Sequence, residues 1–148
     1  MNIFGPALGA GVTFALMKAA APTAPAPQSI LNLGAEWLQA VCSHDPNRVV
    51  SLYAQDGVLV GTVAQRIKHG RADIKTYFDT FLTKTDLCGA FDSHLVQVYP
   101  GWAINSGTYT FRWQENGTEE VVPARYTFVY RQTSEGWKIA NHHSSALP

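Results

Sequence analysis

Charged residues are few in this chain: they occupy 15% of its 148 positions, 11 basic against 11 acidic, and form no run of one sign. A formal net charge of zero and a pI near 7.0 leave no electrostatic footprint for a nucleic acid or an anionic membrane surface, so neither is expected as a partner. Cysteine is nearly absent. Cys42 and Cys88 match no metal or redox spacing and read as small buried hydrophobes, with a disulfide between them as the alternative. No apolar run is long enough to anchor the chain across a bilayer, because the N-terminal one is short and interrupted by Pro6. Internal repeats are also missing. What is abundant is apolar: 46% hydrophobic residues, 11% of all residues aromatic, enough to pack one soluble domain.

Residues 1–29 differ in composition from the rest. Met1 to Met17 is apolar and rich in glycine and alanine, and Pro22, Pro25 and Pro27 follow among alanines, which reads as a leader plus a flexible or polyproline linker ahead of a domain at 30–148. Ala19, Ala20 and Ala21 suit a signal-peptide cleavage site, but no Lys or Arg precedes the apolar stretch. A cytoplasmic protein is therefore expected, exported if residues 1–26 act as a signal peptide. Translation starting at Met17 is a further alternative.

Beyond residue 30 the periodicity is legible. Ile30, Leu33, Trp37, Leu38 and Val41 recur at helical spacing, and Asp45-Pro46 supplies a cap and first-turn proline for a short second helix carrying Val49, Val50, Leu52 and Tyr53. Asp56-Gly57 reads as a turn into a strand at Val58-Leu59-Val60, and Gly70 precedes a third helix bearing Ile74, Phe78, Phe81 and Leu82. Strands are expected at Ser93–Tyr99, Ala103–Trp113, Ala124–Gln132 and Trp137–Ser144, separated by Pro100-Gly101, Asn116-Gly117 and Glu135-Gly136. Helices followed by hairpin-linked strands predict an α+β domain, a mainly antiparallel sheet curving over about three N-terminal helices. Tyr109, Phe111 and Trp113 share one face of their strand, as do Tyr126, Phe128 and Tyr130. Which face lines a cavity and which meets a second subunit is left open, and a homodimer or larger homo-oligomer is expected to cover the other.

The C-terminal strand ends in His142-His143-Ser144-Ser145, where a proton carrier beside hydroxyls would suit a pocket. Strict alternation from Trp137 and Ile139 turns His143 and Ser145 inward; a bulge would select His142 and Ser144 instead. A catalytic zinc needs three convergent ligands, and the five histidines (His44, His69, His94, His142, His143) show no spacing that gathers them, so no metal or other cofactor is expected.

The order of these segments, with Leu52-Tyr53-Ala54-Gln55-Asp56-Gly57-Val58-Leu59 and Ile74-Lys75-Thr76-Tyr77-Phe78, resembles the cone-shaped nuclear transport factor 2-like, or ketosteroid-isomerase-like, fold over residues 30–148. Asn105 to Phe111, Pro123 to Tyr130 and His142 to Pro148 are similar to the calcium/calmodulin-dependent kinase II association-domain-like proteins and, more narrowly, to the iota-class carbonic anhydrases. That resemblance implies reversible hydration of carbon dioxide to bicarbonate, in a class with metal-free members. It implies Thr62, Tyr77, His143 and Ser145 as catalytic residues, with His142, Ser144 and Arg125 holding substrate or another small anion. Here Gly61 stands where a proline is common in that class, and Ala64-Gln65 where Ser-Asn is usual. Two other functions remain open: an association or small-ligand-binding module, signed by arginines facing the cavity, and an isomerase- or dehydratase-like enzyme, which needs a buried carboxylate such as Asp73 or Asp79 near a tyrosine.

Overall fold

The computed structural model describes residues 20–148; the leader expected at the N-terminus and the alternative start at Met17 fall on residues 1–19, outside the described residues. Helix α1 (Pro27–Cys42) begins inside the stretch read as linker, with Pro27 in its first turn, where a missing N–H costs nothing. Its buried stripe is Ile30, Gly34, Trp37, Ala40 and Val41. Helix α2 (Pro46–Ser51) is capped by Asp45, whose carboxylate accepts the backbone N–H groups of Asn47 and Arg48 at 2.9 and 3.3 Å.

Tyr53, expected in that helix, instead opens strand β1 (Tyr53–Val60). The helix stops because the Leu52 carbonyl accepts the Ile139 N–H at 2.9 Å, which commits the chain to the sheet. Asp56-Gly57 likewise lies inside β1, at the register shift between the Tyr53–Ile139 and Val58–Asn141 pairs, and is not the turn expected there. A two-residue strand β2 (Lys68–His69) and helix α3 (Arg71–Phe81) follow, the latter entered through Gly70 at φ +78°.

Four long strands complete the sheet: β3 (Thr85–Tyr99), β4 (Trp102–Glu115), β5 (Thr118–Thr133) and β6 (Gly136–Ala146). The first half of β3 carries little β-forming sequence and was not expected as strand. Pairing with β4 imposes it, and the Cys42–Cys88 disulfide ties it to the end of α1 with Cα atoms 4.5 Å apart. The two cysteines are thus not buried hydrophobes; Cys88 is exposed and Cys42 half-buried.

The sheet order is β2-β1-β6-β5-β4-β3, antiparallel except for the parallel β1–β6 pair. Three helices cover one face, giving the α+β architecture expected from the segment order. The aromatic faces of β4 and β5 point toward the helices: Tyr109, Tyr126, Phe128 and Tyr130 are all buried and Trp37 packs among them. Thr108, Arg125, Thr127 and Arg131 take the opposite face. Among the described residues no helix is long and apolar enough to cross a membrane.

Candidate active site

One extra residue in β6 decides which histidine and serine face the core. Val129 pairs with Asn141 and Tyr130 with Ile139, so Ala140 has no partner on β5 and the alternation inverts beyond it. Ile139 points inward before the bulge, and His142 and Ser144 point inward after it, at 2% and 7% exposure. His143 and Ser145, expected inward, lie on the outer face. Ser145 accepts the Arg125 Nε–H there at 3.1 Å, and all three residues line an outer groove, not the interior.

The inner cavity has a volume of about 40 Å³, room for two or three waters. Thr62 from the segment after β1, Tyr77 from α3, Tyr109 from β4, and His142 and Ser144 from β6 bring polar atoms to its wall. Phe78, Phe81, Phe111 and Trp113 make it largely apolar. The structure thus brings together Thr62 and Tyr77 with the other His-Ser pair.

These polar atoms form one directional chain. The Trp37 indole, which can only donate, gives its N–H to the Tyr53 oxygen at 3.2 Å. Tyr53 and His142 Nδ1 are 2.8 Å apart, Tyr109 and His142 Nε2 3.3 Å, and the Tyr109 hydroxyl donates to Ser144 Oγ at 2.6 Å. Because Tyr109 spends its proton on Ser144, it must accept from His142; Nε2 carries the hydrogen and Nδ1 accepts from Tyr53. Ser144 Oγ and Thr62 Oγ1 lie 2.5 Å apart and either can donate; with Ser144 as the donor, the Thr62 proton is left to point into the cavity. The donors of Trp37, Tyr53, Tyr109 and His142 in this sequence all have partners, as burial demands.

The site is uncharged. Burial pushes the His142 imidazole down to about 3, helped by the neighbouring His143, so the ring is neutral at physiological pH. Burial also pushes the Tyr77 phenol up to about 12, partly offset by the Val63 backbone, and raises Tyr53 and Tyr109 still further. All three phenols remain donors at neutral pH.

Trp37, Tyr53 and Tyr109 were not singled out as site residues from sequence. Tyr109 was visible only as one member of an aromatic face, and the orientation of that face depends on tertiary packing. Tyr53 was hidden by its assignment to α2.

Gly61 gives the departure from the proline usual in the resembling class a physical reason. A Cβ there would come within 2.7 to 2.8 Å of the Tyr77 ring, so glycine lets that ring lie against the backbone. Gly61→Ala should swing the Tyr77 ring away from the cavity, with a melting temperature changed by only a few degrees. Aromatic-ring NMR shifts and calorimetry check this; an unmoved Tyr77 ring would mean that the backbone at residue 61 yields instead.

No carboxylate borders the cavity among the described residues. Asp73 lies on the outer side of α3, taking the Arg66 guanidinium at 2.7 and 2.9 Å and Lys68 at 3.6 Å, and Arg66 holds its carboxyl down at about 2. Asp79 pairs with Lys75. Neither is placed to serve as an isomerase-type base, and no arginine faces the inner cavity. No three His, Cys, Asp or Glu side chains converge among the described residues; His44 bridges the Leu82 and Leu87 carbonyls at 2.9 Å each.

A protein from Xanthomonas campestris, provisionally assigned as a calcium/calmodulin dependent protein kinase II association domain, is 38% identical, with 93% of this chain and 99% of that one covered and a TM-score of 0.78. A dehydratase-like protein of the nuclear transport factor 2-like family from Streptomyces avermitilis superposes with a TM-score of 0.72 at 17% identity over 82% of this chain and 99% of that one. A ketosteroid isomerase-like protein from Erwinia carotovora gives 0.68 at 19% over 82% and 96%. These two share the fold with this chain, which is nuclear transport factor 2-like. No curated protein matches the sequence. Residues 26–148 match the profile of the calcium/calmodulin dependent protein kinase II association domain, and the chain belongs to that family.

Proposed function

We propose that this chain catalyses the reversible hydration of carbon dioxide to bicarbonate. The observation that carries the reading is the neutral hydroxyl chain ending at Thr62 in a cavity a few atoms wide. Carbon dioxide and water are both small and uncharged, so an apolar pocket with polar atoms on one wall suits them. A hydroxide would be poorly stabilised there, since among the described residues no Lys or Arg lines the cavity interior and His142 at about 3 is a weak base.

A hydroxyl relay removes the need for hydroxide. Water between Thr62 and Tyr77 attacks the carbon and passes one proton to Thr62 Oγ1, while Thr62 delivers its own proton to a carbon dioxide oxygen. One carbon–oxygen σ bond forms and one carbon–oxygen π bond is lost; two O–H bonds break, one in water and one in Thr62, and two form, one on Thr62 and one on the former carbon dioxide oxygen. Carbonic acid leaves and ionises to bicarbonate in solvent. Ser144 aims the Thr62 proton, and the Tyr77 phenol supports the oxygen that gains charge. His142 transmits polarity and does not accept the proton, which differs from the role expected for His143.

Stopped-flow hydration with a pH indicator tests this on the full chain, before and after chelation, with metal content measured in the same samples. Hydration that survives chelation is expected. No hydration in either state removes the reading, and activity lost with a metal and restored by it removes the hydroxyl relay.

A second, compatible reading is self-association. Leu95, Tyr99 and Trp102 are 67%, 46% and 45% exposed on the outer face of β3 and β4, a cluster that a second copy would cover, and the association-domain family points the same way. Light scattering after size exclusion reports the assembly directly; a monomer at high concentration would end this reading.

A further inference from the structure

Outside the inner cavity lies a wider, more open depression of about 690 Å³, and the two share the side chains of Val63, Tyr77 and Phe81 as a common wall. The outer space therefore lies directly against the inner one, in the position of a vestibule. Its charged residues are Arg66, Lys68 and Lys84, and no Asp or Glu borders it among the described residues. Arg66 and Lys68 share a single carboxylate, Asp73, behind them. Lys84 makes no ion pair among the described residues; its ammonium sits over the Trp113 ring, 4.2 Å from the centroid. Trp113 also lines the inner cavity, so this cation is held at the cavity's edge by the wall of the cavity itself.

The inner site is neutral and the vestibule carries surplus positive charge, a division that matches a reaction joining a neutral gas to an anion. We propose that the vestibule is a binding site for the anion, with Lys84 the residue that recognises it. The inference rests on the carbon dioxide reading for the identity of that anion, bicarbonate. Carbon dioxide gains nothing from a cation and partitions into the apolar inner wall, whereas bicarbonate is drawn to Lys84 over a distance set by ionic screening. The stacked indole fixes the ammonium without neutralising it, because the ring offers only its quadrupole.

The test measures anion affinity apart from turnover. Binding of ¹³C-bicarbonate by NMR line broadening, and its inhibition constant in the hydration assay, are compared for the full-length wild type, Lys84→Glu, Lys84→Arg and the control Lys75→Glu, whose ammonium pairs with Asp79 on α3 away from the vestibule. Lys84→Glu should weaken bicarbonate about fivefold or more, Lys84→Arg and Lys75→Glu should stay within about twofold, and added salt should weaken wild-type binding. Equal bicarbonate affinity in wild type and Lys84→Glu overturns the proposal even if carbon dioxide is hydrated. Lys84-dependent binding in a protein that hydrates no carbon dioxide keeps the vestibule and removes the hydration reading instead.

Discussion

Ser144→Ala should lower carbon dioxide hydration by about a hundredfold, whereas Ser145→Ala and His143→Ala should leave it within about twofold. Among the described residues Ser144 alone links the Tyr109 hydroxyl, 2.6 Å on one side, with the Thr62 hydroxyl, 2.5 Å on the other. Removing it frees the Thr62 rotor, so the proton needed by the substrate oxygen no longer points at it. The loss should fall on kcat, since the affected hydrogen bond acts as charge moves and contributes little to holding an apolar gas. Stability should fall by about 1 to 3 kcal/mol, the cost of a buried hydroxyl losing its acceptor. Ser145 faces Arg125 across the outer surface, and His143 is exposed beside it. Comparing the four proteins in one stopped-flow series checks the assignment. Loss of activity in Ser145→Ala with none in Ser144→Ala would mean that the catalytic face is the outer one.

The contrast between adjacent serines also marks where the sequence stops being legible. The α+β order, the caps at Asp45 and Gly70, and the aromatic faces of β4 and β5 follow from local periodicity, because each depends on residues within a few positions. Thr62 and Tyr77 could be reached through the family resemblance, and they do border one cavity. The interior choice between the two His-Ser pairs could not be read, because Ala140 becomes a bulge only through its mismatch with β5, a strand that ends seven residues earlier in the chain and pairs with β6 from Ala124 to Thr133. Tyr53 was lost for a similar reason: Leu52-Tyr53 continues a helical pattern locally, and only the parallel partner β6 draws it into the sheet. Even the first half of β3, with Cys88, Gly89 and Ala90, owes its conformation to β4 and the disulfide rather than to its own propensity.

His142 predicts the largest effect on stability, and it is an effect of pH. The ring is packed edge-on against Trp37 at 5.0 Å and stacked on Phe128 at 4.1 Å, with both nitrogens spent on tyrosines. Its pKa of about 3 lies below the ordinary value of 6.5, so the unfolded chain binds a proton between these values that the folded chain does not. Stability is therefore complete above pH 6.5 and falls as pH drops toward 3, by about 1.4 kcal/mol per pH unit. Cooling of the transition by roughly 10 °C is expected between pH 6.5 and 4.5, a window above the one in which Asp73, held at about 2, adds its own dependence. His142→Phe fits the stacking site but leaves Tyr53 and Tyr109 each short of a partner, so it should begin less stable and yet lose the slope contributed by this ring. Thermal melts of both proteins across that window isolate the histidine from the other four, which are unchanged in the variant. Parallel slopes would show that His142 takes up its proton in the fold as readily as in the unfolded chain, and would restore it as a proton acceptor in the relay; a shallower slope in the variant leaves it as the neutral element that orients the hydroxyls between Tyr53 and Thr62.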